Sequence, residues 1–236
     1  MTLSTPPIPT SKPRVALFDL DHTLLPLDSD HAWGEFTIAL GWTDATAFKQ
    51  RNDHFYAQYQ TGTLNVHDYV RFATDAVRQQ GPERAQAAHA AFMREVIEPA
   101  IRPQAKALLR QHQEAGDAVV IVTATNEFVT RPIARALGVD ELIAVVLERT
   151  PGPDRQGWIT GGILGVPSFR DGKVTRVAAW LAERGWTWDS VHTTFYSDSM
   201  NDLPLLERVN HPVATNPDDR LRALAEARGW PVLDLF

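Results

Sequence analysis

The chain has 236 residues and contains no cysteine. Disulfide bonds, thiolate metal ligands and thiol nucleophiles are therefore excluded, and the absence fits the cytoplasm, which we expect as the location. No apolar run approaches the roughly 18 residues of a membrane helix, since the run at 118–124 is far too short. The first twelve residues hold three prolines and no apolar stretch, so residues 1–12 are predicted to be a flexible leader, not a signal peptide.

Excess positive charge is also missing. Asp and Glu (29) outnumber Lys and Arg (23), which gives a formal net charge of −6. This balance argues against nucleic acid or a membrane surface as a partner. The eight histidines are scattered, so a zinc site built on clustered histidines is not expected. A hydrophobic content of 44% and a charged content of 22% are those of an ordinary globular protein.

From residue 100 onward, short apolar runs alternate with helical patterns. This alternation predicts an α/β fold with a doubly wound parallel sheet that helices cover on both faces. The predicted strands are 15–18, 118–122, 142–147, 192–196, 212–214 and 231–235. The predicted helices are 104–114, 127–136, 174–184, 203–208 and 218–227. Gly116 and Gly138 are predicted to end helices, Asn126 to cap one, and residues 158–165 to form a hairpin that turns at Gly161–Gly162.

Residues 29–97 have a different pattern. Aromatic and apolar residues recur there at helical spacing, with breaks at Gly41, Gly62 and Gly81. About four helices and no strand are expected. A helical block that follows the first strand of a parallel sheet is an insertion, and we interpret it as a small cap over the strand ends. The predicted domains are therefore a cap at 28–97 and a catalytic core at 13–27 and 98–236.

Two aspartates follow the first predicted strand. In extended backbone, residues i and i+2 project to the same side, so Asp19 and Asp21 should face one point, with Thr23 close behind. Two carboxylates so close together require a cation between them or a proton on one of them. The alternative is a strand end followed by aspartates that favour a turn.

Three further segments carry polar side chains near predicted strand or helix ends. Residues 123–126 (Thr-Ala-Thr-Asn) suit either a phosphate site at a helix start or simple capping. Lys173 lies near a helix start, where a solvated lysine is the ordinary alternative. Asp198, Asn201 and Asp202 suit a hard cation, or else an acidic loop in which Asp202 caps a helix. Because the carboxyl ends of parallel strands share one edge, we expect these segments to converge.

Together and in this order, the four segments resemble the haloacid dehalogenase-like (HAD) hydrolase superfamily, whose motifs are DxDx[TV], a Ser or Thr, a Lys, and an acidic segment. The resemblance extends from residue 14 to 236. The helical insertion is similar to a type C1 cap, and the combination resembles subfamily IB, the phosphoserine phosphatase-like branch. The resemblance implies a Rossmannoid core and a Mg²⁺-dependent phosphomonoester hydrolase that acts on a small phosphorylated metabolite through an aspartyl-phosphate.

The resemblance also implies a role for each motif residue. Asp19 would be the nucleophile, and Asp21 would protonate the leaving group and then activate water. Thr123, the N–H of Ala124 and Lys173 would bind the phosphoryl oxygens.

The metal site comes from the resemblance as well. Mg²⁺ would be held by Asp19, the backbone carbonyl of Asp21 and Asp198. Asn201 and Asp202 would orient a water ligand and Lys173.

Two cap residues are candidates for substrate recognition. Asp28 stands where the phosphoserine phosphatases have a substrate-reading Glu, and Arg71 falls roughly where they bind a carboxylate. Such a pair suits an amino-acid or amino-alcohol phosphate, although both could equally be ordinary surface charges. Residues 123–125 and 197–199 depart from the Ser-Gly-Gly and Gly-Asp-Gly of that branch. Phosphoserine is therefore not assigned, and histidinol phosphate, other small phosphomonoesters and lipid-derived phosphates stay open, as does the oligomeric state.

Three other functions compete with this one. A haloacid dehalogenase needs no acid at the second Asp position and no cation, so Asp21 and Asp198 argue against it. A phosphotransferase or phosphomutase would use the same motifs and remains an alternative. A non-catalytic phospholigand-binding module would be expected to lack Asp19 or Lys173, and both are present.

Overall fold

A central six-stranded sheet organises the molecule, for which we use a computed structural model that describes residues 12–152 and 157–236. The strands are β1 (Arg14–Phe18), β2 (Ala118–Asn126), β3 (Glu141–Val145), β4 (Leu147–Arg149), β5 (Ile159–Ile163), β6 (His192–Ser197), β7 (His211–Thr215) and β8 (Val232–Leu233). The order in the main sheet is β3-β2-β1-β6-β7-β8, and every pairing in it is parallel. The predicted doubly wound parallel sheet is confirmed. Of the predicted leader, only Lys12 lies within the described residues.

Both faces of the sheet are buried, as strand β1 shows. Val15 and Leu17 belong to one hydrophobic cluster, whereas Ala16 and Phe18 belong to the other, and all four are almost fully buried. Helices α7 (Pro103–Glu114) and α8 (Glu127–Ala136) cover the face of Phe18. Helices α9 (Asp171–Ala182), α10 (Leu203–Arg208) and α11 (Asp219–Arg228) cover the opposite face. Burial on both faces explains why the strands are short continuous apolar runs.

The segment between β1 and α7 is mainly helical from residue 29 onward, with no strand in 29–97. Its elements are α1 (Ser29–Ala39), α2 (Ala45–Thr61), α3 (Val66–Ala73), α4 (Asp75–Gln80), α5 (Pro82–Phe92), a π-helical turn (Met93–Ile97) and α6 (Glu98–Ala100). The boundary between α3 and α4 lies at Thr74 and is marked by no glycine or proline. The Thr74 hydroxyl donates a hydrogen bond to the Val70 carbonyl there. The division into cap and core at residues 28 and 98 stays a prediction.

The predicted hairpin strand at 158–165 is present, but the predicted turn at Gly161–Gly162 is wrong. Residues 159–163 form the single strand β5, which pairs antiparallel with β4. Gly161 and Gly162 lie inside that strand, where a Cβ would stand 2.9 Å from Arg78 Nε and 2.6 Å from Glu148 Oε2 respectively. The glycine pair therefore admits neighbouring side chains against the strand backbone instead of making a turn.

The sequence signals that mark helix ends agree with the structure. Gly116 and Gly138 have positive φ angles (79° and 77°) directly after α7 and α8. The Asn126 side chain accepts hydrogen bonds from two backbone N–H groups at the start of α8. In the described part of the chain, no helix combines the length and the apolar character needed to cross a bilayer.

Candidate active site

The four motif segments meet at the carboxyl edge of the three central strands. Asp19 follows β1, Thr123 lies near the end of β2, and Asp198 follows β6. The chain leaves β1 for β2 on one side and reaches β6 on the other, so the strand order reverses here and creates a crevice. All three residues line a single cavity of about 1810 Å³ together with Lys173.

Lys173 occupies the centre of the site. Its Nζ donates hydrogen bonds of 2.7 Å to Asp19 Oδ1 and 2.7 Å to Asp202 Oδ2, and the residue is only 2% exposed. Burial by itself lowers the pKa of Lys173, but the attraction of the two carboxylates outweighs burial and leaves that pKa raised. The lysine is therefore charged, and the solvated alternative is excluded.

Asp202 does not act as a helix cap. It directly precedes α10, yet its side chain bonds none of the N–H groups at the start of that helix. Its Oδ2 accepts instead from Lys173 and, at 2.7 Å, from Ser197 Oγ. The Asp202 carboxylate is thus held in place beside the lysine by two hydrogen bonds.

Asp19 and Asp198 are joined by the Thr23 hydroxyl. Thr23 Oγ1 lies 3.5 Å from Asp19 Oδ2 and 3.0 Å from Asp198 Oδ1, so those two oxygens are at most 6.5 Å apart. Burial raises the pKa of Asp198, and the nearby charges of Asp19 and Asp202 raise it further. A bound cation relieves the repulsion between the buried Asp19 and the partly buried Asp198.

The donor set is compatible with a hard divalent ion. The described ranges contain no group of three or more His, Asp or Glu side chains arranged to hold a metal. The site implied by the resemblance needs only two carboxylates, Asp19 and Asp198, with the Asp21 carbonyl as a third oxygen. All three are oxygen donors, which Mg²⁺ prefers. The residues present therefore fit the ion.

Asp21 has a separate hydrogen-bond environment. Its Oδ1 accepts from the Ser29 N–H at 2.8 Å, and its Oδ2 accepts from the Thr125 hydroxyl at 2.9 Å. Burial raises the pKa of Asp21, and the charges of Asp28 and Asp19 add to that effect. The environment favours the protonated acid. This hydrogen bond from Thr125 to Asp21 was not predicted from the sequence. The spacing could have indicated it, because Thr123 and Thr125 are two residues apart in extended backbone and so face the same side of the strand.

Thr123 and Ala124 lie where β2 leaves the regular ladder. The pairing of β2 with β3 shifts register between Val122 and Asn126, and both Thr123 and Ala124 line the cavity. The Thr123 hydroxyl accepts the Thr125 N–H at 3.1 Å. The predicted binding of phosphoryl oxygens by these residues stays a prediction.

Only one of the two cap candidates reaches the cavity. Asp28 lines it, while its Oδ1 also caps α1 by accepting the N–H groups of Asp30 and His31, both at 2.9 Å. The Arg71 side chain is 65% exposed, pairs with Asp68 at 3.5 Å and is absent from the cavity lining. The placement of Arg71 at the substrate site is therefore corrected: the register of α3 turns it to solvent and turns Tyr69 inward.

The end of α2 is tied to the core by three hydrogen bonds. Asn201 Nδ2 donates to the Tyr59 carbonyl (3.2 Å), the Tyr59 and Ser199 hydroxyls lie 3.1 Å apart, and Arg170 Nη1 donates to the Gly62 carbonyl (2.6 Å). The Asn201 amide is thus engaged with the cap, and its predicted water ligand stays a prediction. These contacts join segments that are distant in the sequence, so no local sequence pattern predicts them.

A match to a protein-family model shows which family the chain belongs to. The model for haloacid dehalogenase-like hydrolases matches residues 16–207, most of the chain. The chain belongs to the haloacid dehalogenase-like hydrolases. The predicted family is confirmed, and the hydrolase class with it, whereas the subfamily and cap type stay predictions.

Individual relatives of this HAD hydrolase agree with the family. It is 43% identical over 222 residues to a histidinol-phosphatase of Neisseria meningitidis serogroup C (strain 8013), a match that covers 94% of this chain and 98% of the relative. A structure from Bordetella pertussis Tohama I, described as a protein with unknown function, is 47% identical with a TM-score of 0.87, covering 96% of this chain and 100% of that chain. A phospho-aspartyl intermediate analogue of phosphoserine phosphatase shares the fold, with 17% identity, a TM-score of 0.63 and coverage of 96% and 95%.

Proposed function

We propose that this HAD hydrolase is a Mg²⁺-dependent phosphomonoester hydrolase that forms an aspartyl-phosphate on Asp19. The observation that carries the proposal is the buried Lys173, which bridges Asp19 and Asp202 in the cavity that Asp21 and Thr123 also line. A charged lysine beside a carboxylate supports phosphoryl transfer, in which positioning and charge neutralisation supply most of the catalysis.

Asp19 is suited to attack phosphorus. Burial raises the pKa of Asp19 to about 6, while the contact with Lys173 opposes the rise, so the carboxylate is ionised at neutral pH. Lys173 holds and orients the carboxylate through Oδ1. The new bond joins an Asp19 carboxylate oxygen to phosphorus as the alcohol oxygen departs.

Asp21 is suited to transfer the proton. Because burial raises the pKa of Asp21, the carboxyl group holds its proton more strongly than a solvent-exposed aspartate and is suited to give it to the departing alkoxide. The Ser29 N–H and the Thr125 hydroxyl fix its orientation. The same group, once deprotonated, can accept a proton from the water that hydrolyses the aspartyl-phosphate.

Mg²⁺ would be held by Asp19, Asp198 and the Asp21 carbonyl. When bound, the ion would supply positive charge to the phosphoryl oxygens. Without it, Lys173 alone opposes the carboxylates of Asp19, Asp198 and Asp202 in this part of the described site.

We propose an amino-alcohol phosphate as the substrate, with histidinol phosphate as the first candidate. The support is the histidinol-phosphatase of Neisseria meningitidis, which aligns over 94% of this chain. An amino-acid phosphate is the second candidate substrate. The cytoplasmic location of the protein stays a prediction. No observation favours the phosphotransferase alternative.

Release of phosphate from p-nitrophenyl phosphate tests the reaction type. We expect turnover with Mg²⁺, its loss in EDTA and its recovery when Mg²⁺ is restored. Asp19→Asn should lower kcat by roughly 10³-fold or more, because a carboxamide is a poor nucleophile. Asp68→Asn, which changes an exposed cap carboxylate, serves as the matched control.

Two results would contradict this function. One is turnover that persists without a divalent ion. The other is substantial activity in Asp19→Asn while thermal unfolding shows a folded protein. A panel of phosphomonoesters that includes histidinol phosphate and phosphoserine then ranks the substrates by kcat/KM.

A further inference from the structure

A second polar group lines the cavity on the cap side, apart from the phosphate-binding residues. Asp30, in the first turn of α1, accepts a hydrogen bond of 2.7 Å from the Tyr69 hydroxyl on α3 through its Oδ2. Asp30 is 8% exposed, and its Oδ1 has no hydrogen-bond partner among the described residues. Both Asp30 and Tyr69 belong to the cavity lining.

The charges on the cap wall have one sign. Asp28, Asp30 and Asp53 line it, and no described cap residue of the lining is a lysine or an arginine. A ligand carboxylate beside Asp28, Asp30 and Asp53 would meet like charges, whereas an ammonium group would find carboxylate acceptors there. Arg170, which also lines the cavity, belongs to the core and donates to the Gly62 carbonyl at the end of α2. The wall also carries aromatic rings, and the face of such a ring attracts cations. The aromatic residues concerned are Phe55, Tyr56, Tyr59 and Tyr69.

Asp30 is incompletely satisfied inside the protein. A carboxylate oxygen removed from water without a donor is unfavourable, because it loses hydration and gains no hydrogen bond. Lys173, the buried cation of the site, already donates to Asp19 and Asp202. Burial raises the pKa of Asp30 to about 7, so the group has no strong counter-charge of its own.

We propose that Asp30, held by Tyr69, is a specificity-determining residue that binds a cationic nitrogen on the alcohol part of the substrate. This inference rests on the proposed phosphatase function and narrows it to phosphomonoesters that carry an ammonium or similar N–H cation and no carboxylate. Asp30 has no part in the bond-breaking steps. Asp30 lies on α1 and Lys173 on α9, so selection depends on the distance between phosphate and nitrogen.

The competing explanation is a protonated carboxyl group that only supports the cap. The variant Asp30→Asn distinguishes the two explanations. Its side chain has the same size and can still accept the hydrogen bond from Tyr69, but it carries no negative charge. A supporting role predicts equal effects on all substrates. A cation subsite predicts an effect on cationic substrates alone.

The experiment compares two matched series of substrates. ω-Aminoalkyl phosphates with two to six carbons are paired with alkyl phosphates in which a methyl group replaces the ammonium group. We expect the wild type to prefer the amino compound by roughly 10- to 100-fold in kcat/KM at one or more chain lengths, mainly through KM. Asp30→Asn should bring this ratio close to one, Tyr69→Phe should reduce it, and Asp68→Asn should leave it unchanged.

The outcomes separate this inference from the proposed function. Hydrolysis of both series by the wild type without preference at any length overturns the cation subsite and leaves the phosphatase function standing. A preference that survives in folded Asp30→Asn also overturns it. If the wild type with Mg²⁺ hydrolyses neither p-nitrophenyl phosphate nor any member of the two series, both the proposed phosphatase function and the cation subsite are contradicted.

Discussion

Lys173 joins three distant parts of the chain through one buried ammonium group. Asp19 follows β1, Asp202 precedes α10, and the lysine itself lies in the first turn of α9. A buried ion pair contributes little net stability when complete, but removal of one partner leaves an uncompensated charge and is costly. The stability of the site and its chemistry therefore depend on the same contacts.

Lys173→Met should destabilise the protein by about 3–5 kcal/mol at pH 8 in EDTA. Without the lysine, the attraction that now lowers the pKa of Asp19 is lost, and this pKa rises above its present value of about 6. A raised carboxyl pKa in the folded state favours folding at low pH and costs stability as pH rises. The deficit relative to the wild type should therefore shrink between pH 8 and pH 5.

Urea unfolding of both proteins at the two pH values measures this difference. The double variant Lys173→Met/Asp202→Asn should recover part of the loss, since one of the two unpaired carboxylates is gone. A deficit that is the same at both pH values, or no recovery in the double variant, would show that the loss arises from packing and not from charge.

The C-terminal end of α2 is hydrogen-bonded to the core. Gly62 ends this helix with φ at 71°, and its carbonyl accepts the hydrogen bond from Arg170. A Cβ added at Gly62 would stand 2.7 Å from Arg170 Nη1. Gly41, just beyond α1, has the same φ of 71°, but a Cβ there would have nothing within 4 Å.

Comparison of Gly62→Ala with Gly41→Ala isolates the contact between cap and core. Both variants should lose roughly 1 kcal/mol of stability, because alanine is strained at positive φ. Only Gly62→Ala displaces Arg170, so only this variant should also lower kcat/KM for p-nitrophenyl phosphate, by several-fold. Thermal unfolding and steady-state kinetics measure the two effects. Equal activity in the two variants would mean that the Arg170–Gly62 contact has no influence on turnover.

At the scale of the whole molecule, the strand order concentrates negative charge at one edge of the sheet. Asp19 and Asp198 stand at the ends of neighbouring strands, with Thr23 between them. The fold therefore holds repulsive charges together, and an ion that binds only the folded state should stabilise it by mass action.

Mg²⁺ at 100 times its dissociation constant should raise the free energy of unfolding by about 2.7 kcal/mol. Asp198→Asn should abolish most of this gain. In EDTA the same variant should be at least as stable as the wild type, because a buried like charge has been removed. Thermal unfolding with and without the ion measures both effects, and an undiminished Mg²⁺ shift in Asp198→Asn would place the ion elsewhere.

Local sequence was sufficient for features that depend on neighbouring residues. The alternation of apolar runs and helical patterns predicted the parallel sheet, and Gly116, Gly138 and Asn126 marked helix ends correctly. The spacing of Asp19 and Asp21 with the later strand ends predicted which segments would meet. Parallel strands bring their carboxyl ends to one edge whatever the intervening chain does, so these conclusions needed no coordinates.

Tertiary structure decided the features that depend on the rotation of one element against another. Sequence did not distinguish Arg71 from Tyr69 as the residue facing the cavity, because the two lie on nearly opposite faces of α3 and only the packing of that helix decides which face turns inward. The same limit applied to Asp202, for which the residues alone left a helix cap open and only the family resemblance implied a contact with Lys173. It also applied to Gly161 and Gly162, which lie within a strand. Packing between distant segments fixed each of these, and it left Asp30 in the cavity wall with one oxygen unpartnered.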